Sequence, residues 1–291
     1  MHNGSVMVDS RLHEGSIFTV EIPDQLQPSE EKPISSGEKT LKSTATILVT
    51  EDNPEFRTFL HHELSEHYQV ITASNGKDGL QKVREQHPVL VITDVMMPEM
   101  SGTEMCAQIK SDVLISHIPV ILLTAKSSEH SRVEGFKARA DAYITKPFNM
   151  DLLLMRIQNL IEQQEHRKKL FRKEININPG KITITNIDEE LIRTALEHIE
   201  RNMENSSYSV EQLSKEMFMD RTSLYRKIVA IAGQTPTEFI RSVRLKRAAQ
   251  LLKDGLPVAE VSEQVGFGTT SYFTKCFQDE FGIKPSHFKK A

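Results

Sequence analysis

The sequence predicts an α/β half followed by an all-α half, with a short β-hairpin ahead of both. Three observations carry that division. Between residues 44 and 165, five short runs rich in Val, Ile and Leu alternate with amphipathic stretches. Such runs suit strands buried on both faces, and the alternation gives a five-stranded, doubly wound parallel sheet. From Ile187 onward the pattern is helical throughout and contains an internal repeat. The opening stretch "HNGSVMVDSRLHEGSIFTVEIPD", residues 2–24, alternates like two strands around a turn with Gly15 and Ser16. A hairpin that short cannot bury a core alone.

The bulk numbers fit this organisation. A chain of 291 residues is expected to hold two domains. Its 38% hydrophobic and 26% charged residues suit globular domains. The net charge of −4 hides an asymmetry. Thr46 to Glu165 holds 11 Lys and Arg against 17 Asp and Glu, a net of −6. Arg221 to Lys253 holds 8 against 1, a net of +7. An acidic half and a basic stripe point to two tasks, one involving phosphate backbones. The two cysteines, Cys106 and Cys276, are far apart, which argues against a disulfide framework or a Cys-based metal site. No apolar run reaches the length of a membrane span, and the start lacks the pattern of a signal peptide. A cytoplasmic location without membrane contact is the expectation.

The elements follow in order. Residues 1–23 hold the hairpin. Residues 24–43, polar with two prolines and "SSG", read as a flexible linker. In residues 44–165 the strand-like runs are "ATILVT", "YQVITAS", "PVLVITDV", "IPVILLTA" and "DAYITK". Segments such as "EFRTFLHHEL" and "GKDGLQKVREQ" are the helices between them. The helix beginning at Asp151 turns polar and basic in its second half, so it leaves the domain as a connector, broken at Pro179 and Gly180. Residues 166–186 are assigned to this linker and 187–291 to the helical domain.

Ligands bind outside the carboxyl ends of strands in an open α/β sheet. The residues at those ends are Glu51 and Asp52 after the first strand, Asp94 in "ITDVMMPEMSG", Thr124 in "ILLTAK" and Lys146 in "YITKPF". Clustered carboxylates repel one another unless a cation neutralises them. Mg²⁺ takes oxygen ligands and leaves room for a phosphoryl oxygen. An Asp carboxylate is also a competent nucleophile toward phosphorus, with Lys and Thr placed to hold the remaining oxygens. An Asp at a strand end or a lone "TKP" means little alone; the joint placement carries the argument.

Residues 44–165 resemble the receiver domains of two-component response regulators, which have a flavodoxin-like fold, with every motif in the right order and strand context. The resemblance implies that Asp94 is the phosphoacceptor. It implies that Glu51 and Asp52 hold Mg²⁺ with Asp94 and the backbone carbonyl of Met96. Lys146 pairs with the phosphate, Pro147 follows it through a cis bond, Thr124 is the switch hydroxyl, and Tyr143 is the aromatic that follows it inward. Arg139 in "KARADAY" departs from the more usual Gly.

The repeat in the second half aligns "LYRKIVAIAGQTPTEFI" from Leu224 with "FTKCFQDEFGIKPSHFK" from Phe273. "VEQLSKEM" and "VAEVSEQV" precede them, so two helix–turn–helix units are the simplest reading. In the first, Asp220 caps a helix whose Leu224, Ile228 and Ile231 face inward. Arg221, Thr222, Ser223 and Arg226 are its DNA-facing candidates. In the second, Thr269 or Thr270 caps the helix, Phe273 and Phe277 face inward, and Ser271, Tyr272 and Lys275 face out. Hydroxyls and bases near an exposed helix N-terminus suit groove contacts. Between the units, Arg241, Arg244, Lys246 and Arg247 form the densest basic run and are candidate phosphate contacts. Residues 205–291 resemble the AraC-family DNA-binding domain, in which both recognition helices enter successive major grooves. The segment from Ile187 to Asn202 reads as an extension, and Phe218 departs from a common Gly in the first turn.

Together these readings imply a response regulator in which phospho-Asp94 modulates binding to promoter DNA with direct-repeat or paired half-sites. A histidine kinase is the expected phosphodonor, a homodimer the expected phosphorylated form, and RNA polymerase a candidate further partner. Two rivals are a phosphate sink or relay with weak DNA binding, and part of a hybrid histidine kinase. The 291 residues contain no phosphorylatable-His bundle and no ATP-site boxes, so the chain is not expected to autophosphorylate. The opening hairpin resembles the last two strands of a histidine-kinase ATP-binding domain. That implies a longer hybrid parent with the phosphodonor covalently upstream; the inner membrane is a candidate anchorage for such a parent.

Overall fold

The centre of the chain is a five-stranded parallel sheet of β3 (Thr46–Thr50), β4 (Gln69–Ala73), β5 (Leu90–Asp94), β6 (Val120–Ala125) and β7 (Ala142–Lys146), in the order β4-β3-β5-β6-β7. The computed structural model describes residues 5–11, 15–21, 45–125, 139–174 and 186–288. The expected linker at 24–43 and the helix break at Pro179 and Gly180 lie outside the described residues. The order places β3 and β5 at the middle, where the strand sequence reverses direction across the sheet. That is where an open α/β sheet leaves a crevice at its carboxyl edge.

The side-chain period of two divides the core into two layers. Ile47 and Val49 face one way, packing with Leu60 and Leu64 of α1 (Pro54–Ser65) and with Leu153 and Ile157 of α4 (Met150–Glu174). Leu48 faces the other way, with Leu80 of α2 (Gly76–Gln86) and Met105 and Ile109 of α3 (Gly102–Ser111). Each helix starts on a residue that satisfies its orphan amides. Asn53 accepts from the amides of Glu55 and Phe56, Asn75 from Asp78, and Ser101 forms a capping box with Glu104.

The second half is helical. Its elements are α5 (Asn186–Arg201), α6 (Val210–Glu216), α7 (Arg221–Ala232), α8 (Pro236–Lys253), α9 (Val258–Gln264), α10 (Thr270–Phe281) and α11 (Pro285–Phe288). The long α8 serves two cores. Its Phe239, Ile240 and Val243 join α5, α6 and α7, and its Leu245, Ala248 and Leu252 join α9 and α10. A helix that feeds two cores is apolar on several sides, which is why its basic residues do not all reach solvent. The expected extension at Ile187–Asn202 supplies Leu191, Ile192, Ala195 and Ile199 to the first core.

The hairpin pairs β1 (Ser5–Arg11) with β2 (Gly15–Glu21), in antiparallel register from Ser5↔Glu21 to Arg11↔Gly15. It belongs to a separate unit, Met1–Leu41; the sheet and all described helices belong to Lys42–Ala291. Among the described residues, no helix is long and apolar enough to cross a membrane.

Candidate functional site

Five predicted residues meet at the carboxyl edge of the sheet. Glu51 and Asp52 follow β3, Asp94 ends β5, Thr124 lies near the end of β6, and Lys146 ends β7. Carboxylate oxygens of Glu51, Asp52 and Asp94 lie within 4.8 Å of one another. Lys146 Nζ sits 2.7 Å from Asp94 Oδ1 and 2.8 Å from Glu51 Oε2, and 4.5 Å from the centre of the Phe56 ring. Asp94 Oδ2 accepts the Met96 amide at 3.2 Å. Arg57 donates to the carbonyl of Glu51 at 2.6 Å and ties α1 to the acidic turn.

Burial is graded. Glu51 and Asp94 are buried and Asp52 is exposed, so the cluster opens to solvent on one side. Desolvation pushes the Glu51 carboxyl above its usual value, against the lowering effect of Lys146. Burial pulls the Lys146 ammonium down, but its hydrogen bonds to Asp94 and Glu51 outweigh this and leave it raised. Three carboxylates against one ammonium leave the site short of positive charge. An all-oxygen donor set of this spacing, open to water, fits a hard divalent cation such as Mg²⁺.

Gly102 is a supporting residue that spacing alone did not single out. A Cβ there would collide with the Asp94 carbonyl oxygen. The absence of a side chain lets α3 start against the backbone of the acidic turn. Thr124 is buried, and its register partner Thr145 sits beside Lys146. Tyr143, partnered with Leu122, is half-buried against the α2–α3 core, and burial raises its phenol. The Lys146–Pro147 bond is cis. Arg139, where a glycine was expected, has a φ of 57°, the left-handed conformation glycine favours.

The candidate DNA face divides by burial. Arg221 and Thr222 of α7 are exposed, and Ser223 is half-buried. Arg226 is exposed but lies 2.8 Å from His87 Nε2 of the α/β half. In α10, Thr269 is the cap, and Thr270, Ser271, Tyr272 and Lys275 are exposed. On α8, Arg247 is exposed. Arg241 is half-buried, and Tyr272 beside it opposes the effect of burial and leaves its guanidinium raised. Lys246 is also half-buried, and burial draws its ammonium down to about 8.

Arg244 needs correcting as a phosphate contact. It is buried, donating to the Asn205 carbonyl at 2.6 Å and the Gly266 carbonyl at 3.1 Å. Its guanidinium stitches two turns together and is not free for a phosphate. Lys227 was not singled out from sequence. It is fully buried, 2.6 Å from Asp188 Oδ1 and 2.7 Å from Ser116 Oγ. The available signal was its position: three residues after Leu224 and four before Ile231, it falls on the inward stripe of α7.

Comparison with known proteins bears on both halves. Residues 47–158 match the family model of the response regulator receiver domain, and residues 213–291 match that of a helix-turn-helix domain. The chain is 39% identical over 317 aligned residues to Histidine kinase P4 of Formosa agariphila, a match covering 99% of this chain and 23% of the kinase. It is 33% identical over 169 residues to response regulator ArlR of Staphylococcus aureus, covering 57% of this chain and 76% of that protein. Among solved structures, the receiver domain of a signal transduction histidine kinase from Syntrophus aciditrophicus is 35% identical. That match covers 41% of this chain and 92% of that one, with a TM-score of 0.40.

Proposed function

Because the chain belongs to the response regulators, joining a receiver to an AraC-type helix-turn-helix domain, we propose that phosphorylation of Asp94 controls its binding to promoter DNA. The observation that carries this reading is the acidic cluster with Lys146 bonded to Asp94, in one polypeptide with two capped recognition helices. Asp94 attacks the phosphorus of a phosphohistidine, a P–O bond forms as the P–N bond breaks, and the imidazole leaves with a proton. Lys146, already between Asp94 and Glu51, holds a phosphoryl oxygen as charge builds on it. Mg²⁺, held by Glu51, Asp52, Asp94 and the Met96 carbonyl, would neutralise the remaining charge. Thr124 then moves toward the phosphoryl group and Tyr143 follows, so the change at one carboxylate becomes a change of surface.

The phosphodonor is a histidine kinase, and the relative from Formosa agariphila favours one in the same polypeptide. On this reading the hairpin at Ser5–Glu21 is the trailing edge of an upstream kinase domain. Phosphorylated chains pair as dimers on promoter half-sites. The decisive experiment is Asp94→Asn with an acyl phosphate as donor. The variant keeps the DNA affinity of the unmodified protein and loses the donor response. An equal response in wild type and variant, by gel shift or light scattering, sinks the proposal. Rapid turnover of the phospho-aspartate with an unchanged DNA footprint would favour a phosphate sink.

A further inference from the structure

One side of the first recognition helix packs toward the receiver, while Arg221 and Thr222 remain exposed. Lys227 of α7 is fully buried and contacts Asp188 Oδ1 of α5 at 2.6 Å and the receiver's Ser116 Oγ at 2.7 Å. Ser116 in turn donates to Asp188 Oδ1 at 2.8 Å, and His117 Nδ1 lies 3.4 Å from the ammonium. One residue earlier on the helix, Arg226 meets His87 at the end of α2, 2.8 Å away. One turn earlier again, Ser223 lines a cavity of about 510 Å³ together with Val113 and Leu114 of the receiver. The side of α7 that carries Ser223 and Arg226, two of its four DNA-facing candidates, is therefore turned toward the receiver.

The second unit differs at the matching positions. Lys275 and Cys276 take the places of Arg226 and Lys227. Lys275 is exposed, Cys276 packs in the unit's own core, and Ser271 and Tyr272 are exposed. We propose that the receiver masks the first recognition helix and leaves the second free, so that this state grips DNA through one unit only. Release of Lys227 from Ser116 then admits the second groove contact. This inference rests on the reading that α7 and α10 bind DNA. The buried Lys227–Asp188 pair lies within the helical half, and Ser116 caps it from the receiver. Such a pair adds little net stability compared with apolar packing, but it sets a specific register, and both charges regain water when Ser116 leaves. DNA and receiver compete for the side of α7 that carries Ser223 and Arg226, so weakening the receiver contact strengthens DNA binding, up to the affinity of the fully released chain. The latch lies at the amino ends of β5 and β6, since His87 precedes one and Ser116 and His117 precede the other. Asp94 and Thr124 lie at their carboxyl ends, so β6 spans the distance between switch and latch.

The test alters the receiver side alone, where no DNA contact is proposed. The full chain first selects a duplex from a random library. Anisotropy and footprinting on that duplex then compare wild type, Ser116→Leu, Ser116→Ala and His87→Asp. Ser116→Leu, which crowds Lys227 out, is expected to bind about tenfold tighter, with a footprint longer by about one helical turn. His87→Asp sets a carboxylate against Arg226 and is expected to bind more weakly. Labelling of Asp94 by an acyl phosphate checks that each receiver is folded; if Ser116→Leu fails that check, Ser116→Ala and His87→Asp decide. Binding with equal affinities and footprints in every folded variant overturns the latch and leaves the DNA reading intact. A chain that enriches no duplex at all overturns both.

Discussion

The two helix–turn–helix units share one pattern and have different surroundings. Phe218 and Gly266 occupy the same place in the two turns, 48 residues apart. Both are left-handed, with φ of 53° and 70°. At Gly266 a side chain would run into the Met203 carbonyl and crowd the Arg244 guanidinium, so only glycine fits. At Phe218 the turn projects outward and the ring is 97% exposed, so the backbone strain is tolerated with little steric cost. The recognition helices differ in the same way. Position 227 carries a lysine buried between Asp188 of α5 and Ser116, and its counterpart 276 carries a cysteine buried in its own core. Identical local geometry therefore does not mean identical constraint; the neighbours of each turn and helix decide what the side chain must be.

The largest expected effect separates the two helices. Lys227→Ala leaves the Asp188 carboxylate buried without its cation and should cost roughly 3–5 kcal/mol in urea denaturation, whereas Cys276→Ala should cost about 1 kcal/mol. Lys227→Met combined with Asp188→Leu should recover most of the loss, since apolar packing replaces the pair. If the single and double variants are equally unstable, the pair is not what holds that seat.

The turns provide the next contrast. Gly266→Ala must meet both the left-handed backbone and the Met203 carbonyl, and is expected to lower stability by about 2–3 kcal/mol. Phe218→Gly relieves the same backbone strain at an exposed position and should raise stability by about 1 kcal/mol. Equal effects of opposite sign would mean that backbone strain alone distinguishes them.

The receiver contact also gives the first unit an acid sensitivity that its repeat lacks. Burial, then the nearby Lys227, depresses the His117 imidazole from 6.5 to about 3. Asp188 opposes that shift, and Lys110 and Lys168 reinforce it. The unfolded chain therefore takes up the proton first as the pH falls. Stability should drop between about pH 6.5 and 3, by at most about 1.4 kcal/mol per pH unit. His117→Asn should flatten that limb; an unchanged slope would place the acid sensitivity elsewhere. The smallest effect concerns α8. Arg247→Ala should leave the melting temperature unchanged and lower the salt dependence of DNA binding by about one phosphate contact. Arg244→Ala should instead lower the melting temperature, because it strips donors from two turn carbonyls.

Much of this was legible in the sequence. Strand-like runs placed Glu51, Asp52, Asp94, Thr124 and Lys146 at strand ends, and parallel topology then brings strand ends to one edge. The caps Asp220 and Thr269 and the inward stripe at Leu224, Ile228 and Ile231 follow from spacing along one helix. These are local or periodic properties, and a linear pattern contains them. Arg244 and Lys227 were misjudged or passed over for the opposite reason. Whether a cation on a helix meets water, a carbonyl or a buried carboxylate depends on which element packs over it. Gly102 and Gly266 are also explained only by close approaches that no helical or strand period shows, to the carbonyls of Asp94 across the acidic turn and of Met203 in a distant segment. The sequence alone determined the chemistry available at the sheet edge and on the two recognition helices. Only the tertiary structure decided which charges remain free, because burial and pairing arise between segments such as Ser116, Asp188 and Lys227, up to 111 residues apart in sequence.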